Sequence, residues 1–302
     1  MAGEGNRQMN LVKLINTFHH EDICREYLED LRWPDGVVCP RCGSDSISDI
    51  STRDQLDCNK CRYRFSVTSG TIFHRSKLAL SKWFLTVYMM VEAKKGVSAN
   101  QIKRTIGVTY KTAWFMCHRI RAAMSEASEE MPQFTGKVEA DETWNGGRVS
   151  GMGAGYKGNK PQVLGIYDRS GKIQLRRVES GDRKTIQRII NEHISRGAIA
   201  IYSDEAGNFQ GLQGRIRRHE TVNHSAYEWV RGDVQTNSIE NVWSLLKRAI
   251  AGSYHFVSEK HLDAYLNELE WRFNNRKNPM LFRDTMRQLI ESEKLEYKEL
   301  TA

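Results

Sequence analysis

Residues 136–143 read GKVEADET, an apolar, β-prone stretch with Asp141 near its end. A second stretch of the same kind, AIAIYSDEA at 198–206, carries Asp204 near its end. A third run, TNSIENVWSLLKR at 236–248, has helical periodicity and holds Glu240, with Lys247 two turns further on. Two aspartates at strand ends and a glutamate on a helix form a carboxylate set suited to Mg²⁺. Such sets cut and join phosphodiesters by two-metal chemistry, with the ions roughly 3.5–4 Å apart.

The segments between these runs order them into a fold. PQVLGIYDRSG (161–171) and KIQLRRVES (172–180) read as a hairpin turning at Asp168–Gly171, and DRKTIQRIINEHISRG (182–197) reads as a helix. The order strand, strand, strand, helix, strand, helix is that of an RNase H-like domain with a mixed sheet. That fold gathers acidic side chains from neighbouring strands and one helix, although a fold alone does not establish a function. On the last helix Asn237, Glu240, Ser244 and Lys247 share one face. Val242, Leu245, Leu246 and Ile250 lie mostly on the other. A solvated helix face is the plain alternative for Glu240 and Lys247, and the two upstream aspartates weigh against it. Glu142 alternates away from Asp141 along its strand. The glycine-rich run GGRVSGMGAGYKGNK (146–160) is no dinucleotide fingerprint, because no helix opens after it. It reads as a mobile basic loop near Asp141.

The N-terminal third has a different character. HHEDICREYLEDLR (19–32) is a helix with an apolar stripe through Ile23, Tyr27, Leu28 and Leu31, stopped by the turn Trp33–Gly36. Then Cys39-x2-Cys42 and Cys58-x2-Cys61 follow, 15 residues apart. This is the spacing of a tetrahedral, structural zinc site on a zinc ribbon. Cys24 and Cys117 stand alone and read as packing. SKLALSKWFLTVYMMVEAK (76–94) reads as a helix with a stripe through Leu80, Trp83, Phe84, Val87, Tyr88 and Val91. A short helix after Ser98, a turn at Gly107, and the helix YKTAWFMCHRIRAAM (110–124) match a helix-turn-helix. Thr109, Tyr110, Lys111 and Thr112 would then enter a DNA major groove, with Ala113, Phe115 or Met116, and Ile120 facing the core. A plain helical bundle is the alternative.

The chain has 302 residues and a net charge of +8. From Arg53 to Arg121 there are 14 Lys or Arg against 3 Asp or Glu, so the excess charge is concentrated there. Concentrated positive charge suits a polyanion such as nucleic acid. No apolar run approaches the roughly 18 residues of a membrane span. The N-terminus lacks the apolar core of a signal peptide. The expected location is the cytoplasm, with association to the nucleoid when DNA is bound and no membrane partner.

With these residues in hand, the chain resembles the zinc-ribbon DDE transposases of bacterial insertion sequences, relatives of the Merlin transposases. The resemblance covers almost the whole chain and rests on LRWPDGVVCPRCGS (31–44), SGTIFHRSKLALSKWF (69–84), ADETWNGG (140–147), VNHS (222–225) and the long run Thr236–Lys277. It implies an expected organisation: an N-terminal helical segment (1–36), a zinc ribbon (37–72), a helix-turn-helix region (73–131) and an RNase H-like catalytic domain (132–295). It implies Asp141, Asp204 and Glu240 as the catalytic, Mg²⁺- or Mn²⁺-holding triad. Lys247 would touch DNA near the reacting phosphate. Some relatives carry Asn at the third acidic position, and Asn237 shares the face. Glu240 is favoured, standing seven residues before Lys247, with Asn237 auxiliary. Arg272 and His224 match family positions without an assignable role. The implied partners are double-stranded DNA, as terminal inverted repeats and target, and further copies of the chain in a dimer or larger assembly. The alternatives at this level are a non-catalytic DNA-binding regulator and an RNase H-like nuclease without strand transfer.

Overall fold

The computed structural model describes residues 8–129, 131–145, 160–212 and 217–301. Its chain order is α1 (Leu11–Thr17), α2 (Glu21–Arg32), β1 (Ile47–Ile50), β2 (Gln55–Cys58), β3 (Arg64–Phe65), α3 (Leu80–Glu92), α4 (Ala99–Ile106) and α5 (Tyr110–Glu129). Then come β4 (Lys137–Trp144), β5 (Gln162–Asp168), β6 (Lys172–Val178), α6 (Arg183–His193), β7 (Ala200–Asp204) and β8 (His219–Val222). A small hairpin, β9 (Val230–Arg231) and β10 (Val234–Gln235), precedes α7 (Asn237–Ala249), α8 (Leu262–Asn274), α9 (Leu281–Glu291) and α10 (Tyr297–Thr301). The chain divides into two compact units, Met1–Ala127 with Asn275–Ala302, and Ser128–Asn274. The glycine-rich run 146–160, read as a mobile basic loop, lies outside the described residues except for Lys160. Among the described residues no helix is long and apolar enough to cross a membrane.

The first unit is a helical cluster carrying the ribbon β1-β2-β3. Its core includes Phe18, Trp83, Phe84, Val87, Met90 and Val91. Phe18 meets Phe84 edge-on at 4.7 Å between ring centroids. The Glu21 carboxylate accepts from the backbone N–H of Leu80 (2.6 Å) and Ser81 (3.1 Å), capping α3 from a distant part of the chain. Ser98 caps α4 by accepting from Gln101 N, and Gly107 ends that helix in a left-handed conformation. The Thr109 hydroxyl then accepts from Thr112 N at the start of α5. Ala113, Met116 and Ile120 are buried, so Met116 takes the core position left open between it and Phe115. Residues 275–295, expected with the catalytic domain, fall in this first unit. The reason is the apolar face of α9: Phe282 packs 6.0 Å from Phe84, and Leu289 O accepts from Ile72 N.

The second unit is a five-stranded sheet in the order β6-β5-β4-β7-β8. β4, β5 and β6 run antiparallel, while β7 and β8 are parallel to β4. This is the RNase H-like topology, with β8 as a fifth strand beyond those read from sequence. Alternation along β4 divides its side chains. Val138 and Ala140 join Leu164, Ile166, Ile186 and Ile190 in the cluster under α6. On the opposite face Val163, Ile173 and Leu175 pack with Ile239, Trp243, Leu246, Leu266 and Leu269 of α7 and α8.

β6 is an edge strand, and exposed edges present unpaired backbone groups. Here α8 covers them. Asn274 accepts from Ile173 N (2.7 Å) and donates to Ile173 O (2.8 Å), and Glu270 accepts from Leu175 N (2.8 Å). Glu270 also binds Ser128 Oγ and Arg176, while burial pushes its carboxyl above the usual range. Arg272, without a role from sequence, pairs with Glu268 one turn away at 3.3 Å. Asn274→Ala strands both backbone groups of Ile173 and is expected to lower the unfolding free energy by about 1–3 kcal/mol, read from urea denaturation.

Candidate active site and metal centre

The zinc ligands sit on two backbone turns. Gly43 N donates to Cys39 O and Arg62 N to Cys58 O, both in left-handed conformations, and each turn aims two thiols at one point. All four Sγ atoms of Cys39, Cys42, Cys58 and Cys61 lie within 4.8 Å of one another. Cys39–Cys61 and Cys42–Cys58 are each 3.6 Å apart. A tetrahedron with Zn–S bonds of about 2.3 Å has edges of roughly 3.8 Å, so the donor set fits Zn²⁺. Backbone N–H groups of Cys61 and Lys60 help pull the Cys58 thiol down to about 6, while burial pushes Cys61 up to about 12. The four-cysteine turns of the ribbon are thus a structural zinc centre closed to further ligands.

Asp141 stands on β4, Asp204 at the end of β7, and Glu240 on the first turn of α7. β4 and β7 are adjacent and parallel, with Glu139 opposite Tyr202. Two residues beyond that pair stand Asp141 and Asp204: Asp204 is the last residue of β7, whereas Asp141, expected at a strand end, lies inside β4, which continues to Trp144 along β5. Burial is the largest cause raising the Asp141 carboxyl to about 6, and the charges of Asp204 and Glu240 add to it. The three carboxylates are therefore within electrostatic reach of one another. Among the described residues they do not close to the 4.8 Å of the cysteine group. Glu142, facing away from Asp141 along the strand, is bound by Asn208 Nδ2 (2.5 Å) and by Gln162 Nε2. Burial first, then Asp204 and Asp141, raise it to about 7.

Several residues that position this cluster, His224 apart, had not been singled out in the sequence. Trp243 Nε1 donates to Asp141 Oδ2 at 2.8 Å, fixing the carboxylate against α7. Room for its indole comes from Gly165, paired with Asp141 across the sheet. A Cβ there would lie 2.5 Å from Trp243 Cζ2 and 2.6 Å from Ile239 Cδ1. Glu139, fully buried two residues before Asp141, accepts from Ser238 N (2.9 Å) and Ile239 N (3.2 Å) at the start of α7. Arg169 Nε donates to the same carboxylate at 3.0 Å, and its Nη2 donates to Asp233 O. Glu240 accepts from Thr236 Oγ1 at 3.0 Å and faces His224 Nε2 at 3.7 Å. His224 is held in turn by Glu205, which accepts from its backbone N–H at 2.9 Å. The available signal was spacing: Glu139 stands two residues before Asp141 and so shares its face of β4.

Asn237 is half-buried on the first turn of α7, and its Nδ2 donates to Gln235 Oε1. Lys247 is exposed near the end of the same helix and lines a cavity with Thr143 and Trp144. Thr109, Tyr110, Lys111 and Thr112 come together at the N-terminus of α5. The hydroxyls of Thr109 and Thr112 bond each other at 2.9 Å. Tyr110 is exposed, and the Lys111 ammonium lies 4.4 Å from the Tyr297 ring centroid.

The family described as the ISXO2-like transposase domain matches residues 133–274. The transposase zinc-ribbon domain matches residues 19–64. A protein in transposable element ISH50 of Halobacterium salinarum is 26% identical over 279 residues, covering 85% of this chain and 92% of the relative. A transposase-like protein of Haemophilus influenzae is 31% identical over 91 residues, 30% of this chain and 72% of that protein. The solved Mos1 strand transfer complex is 13% identical, covers 69% of this chain and 75% of its own, and has a TM-score of 0.30, too low to establish a shared fold. The chain belongs to the zinc-ribbon transposase family of insertion sequences.

Two outcomes are expected. The purified protein binds one Zn²⁺ per chain by metal analysis, and Cys58→Ser loses it. Glu139→Ala leaves Arg169 and two α7 amides without their buried partner. It is expected to cost about 3–5 kcal/mol of stability by chemical denaturation.

Proposed function

We propose that the chain is a Mg²⁺-dependent DNA transposase that binds the terminal inverted repeats of its element, cleaves the ends and joins them to target DNA. The observation carrying this reading is the convergence of Asp141, Asp204 and Glu240 from β4, β7 and α7. It is close enough for the charges of Asp204 and Glu240 to raise the Asp141 carboxyl. Three mutually repelling acids are a poor arrangement unless a cation shares the site, and hard oxygen donors fit Mg²⁺ or Mn²⁺. Asp141, Asp204 and Glu240 would hold such ions, which activate an oxygen nucleophile and stabilise the leaving oxygen of a phosphodiester.

The protein's own contribution is positional. Trp243 restrains Asp141, Thr236 and His224 orient Glu240, and Asn237 is an auxiliary residue on the same face. Lys247 supplies a cation for a DNA phosphate beside the site. The ribbon and the α4–α5 pair, with Tyr110 and Lys111 exposed at the helix start, supply the DNA-binding surface. Joining two element ends at one target calls for at least two copies of the chain on DNA.

Asp141→Asn, Asp204→Asn and Glu240→Gln are each expected to lower strand transfer at least about a thousandfold, roughly 4 kcal/mol of barrier. Binding of the terminal repeat, measured by gel shift, should persist. Asn237→Ala is expected to cost much less. An Asp141→Asn protein that still joins ends to target DNA would sink the assignment.

A further inference from the structure

The chain after α7 does not leave the helix in an ordinary way. Ile250–Tyr254 forms a π-helical turn, a rare feature found disproportionately at functional sites. His255 follows at φ 61° and ψ −41°, and Phe256 N donates to Tyr254 O at 2.7 Å. This is the γ-turn of positive φ, the rarer and strained form. The strain buries nothing, since Phe256 is 77% exposed. Both flanks are nevertheless fastened. Tyr254 OH donates to Glu268 at 2.8 Å, its ring meets Tyr265 at 4.7 Å, and Val257 is buried. A strained turn anchored on both sides thus holds an aromatic ring out in water, and strain of that kind gathers at ligand clamps.

The turn borders a cavity of about 490 Å³ whose walls include Trp144, Lys247 and Phe256. That volume lies within the roughly 300–1,000 Å³ of small-ligand sites. Its place in the fold limits what it holds: Trp144 lies three residues beyond Asp141 on β4, and Lys247 two turns beyond Glu240 on α7. The acid on its rim, Glu259, is paired with Arg177 at 3.3 Å, so Lys247 sets the local charge. Aromatic faces with one cation match a nucleobase and its phosphate.

We propose that this cavity seats one unpaired nucleobase of the DNA strand being processed, stacked against Phe256, with Lys247 on its phosphate. The inference rests on the reading of Asp141, Asp204 and Glu240 as the catalytic set. Stacking in the cavity offsets the cost of taking the base out of the duplex. The clamp would place the backbone beside the carboxylates without reading sequence, because every base has a π face.

The test is photo-crosslinking on the full-length protein with Ca²⁺ in place of Mg²⁺. Duplexes that the wild-type protein cleaves carry 5-iodouracil at each position flanking the cleaved phosphate in turn. One position is expected to crosslink to the peptide containing His255 and Phe256, identified by mass spectrometry. Phe256→Ala should abolish that adduct and weaken binding about tenfold, while Phe256→Trp restores both. Phe256 is exposed, so neither substitution threatens folding. Crosslinks mapping only elsewhere, or none at any position, overturn the proposal, as does a Phe256→Ala protein that binds and cleaves like wild type. The adduct does not need catalysis and is expected to persist in Asp141→Asn. Failure of the clamp is therefore distinguishable from failure of the catalytic assignment, which is read from joined products.

Discussion

A carboxylate with no exposed surface, Glu139, sets the position of the helix on which the third acid rides. Burying a charge is costly unless it is paired and hydrogen-bonded. Glu139 meets both conditions through Arg169 and through the free N–H groups of Ser238 and Ile239 at the start of α7. Those amides carry the positive end of the helix dipole, so the anion and the helix stabilise each other. The contact is specific to register, because each residue turns the helix by about 100°. A slip of one position would carry Glu240 off the face that looks toward Asp141. The Trp243–Asp141 bond fastens the same helix to the same strand one turn later, and Gly165 keeps the sheet low enough for the indole to reach.

Much of this architecture was legible because it rests on short periods. The alternation of β4, the hairpin at Asp168–Gly171, the cysteine spacing and the apolar stripe of α3 each express a local rule, and the folded chain follows them. β8 was not legible: its four residues HETV bury only His219 and Val222, and the strand forms because β7 offers a parallel edge. Nor was the destination of α9. An amphipathic helix declares that it has a partner, and here the partner is an aromatic cluster far away in sequence.

The candidate site divides along the same line. Asp141, Asp204 and Glu240 were readable because acids in apolar, β-prone runs and on a helix face are chemically conspicuous, although only Asp204 ends its strand and Asp141 lies inside β4. The groups that hold them were not. Nothing in the sequence set Glu139, Trp243 or Gly165 apart from their neighbours. Their roles exist only once β4, β5 and α7 are brought together. His255 and Phe256 present the sharpest case: nothing in GSYHFV marks a positive-φ turn, since His seldom takes that conformation.

The four-cysteine centre and the proposed acidic site differ in a way that follows from their side chains. In the ribbon, two rigid turns bring four soft thiols into a closed tetrahedron, which leaves no position for water and makes metal binding part of folding. In the second unit the three acids come from separate elements, and each has its own support: Trp243 for Asp141, the Ala206 amide for Asp204, Thr236 for Glu240. Mg²⁺ gives up its waters reluctantly and is held by one or two carboxylates together with substrate phosphates. A looser acidic set suits such an ion, because under the proposed function the remaining ligand positions would be filled by the DNA. Under the same proposal, the aromatic turn at His255–Phe256 and the Lys247 ammonium would meet the continuing strand at the cavity they share.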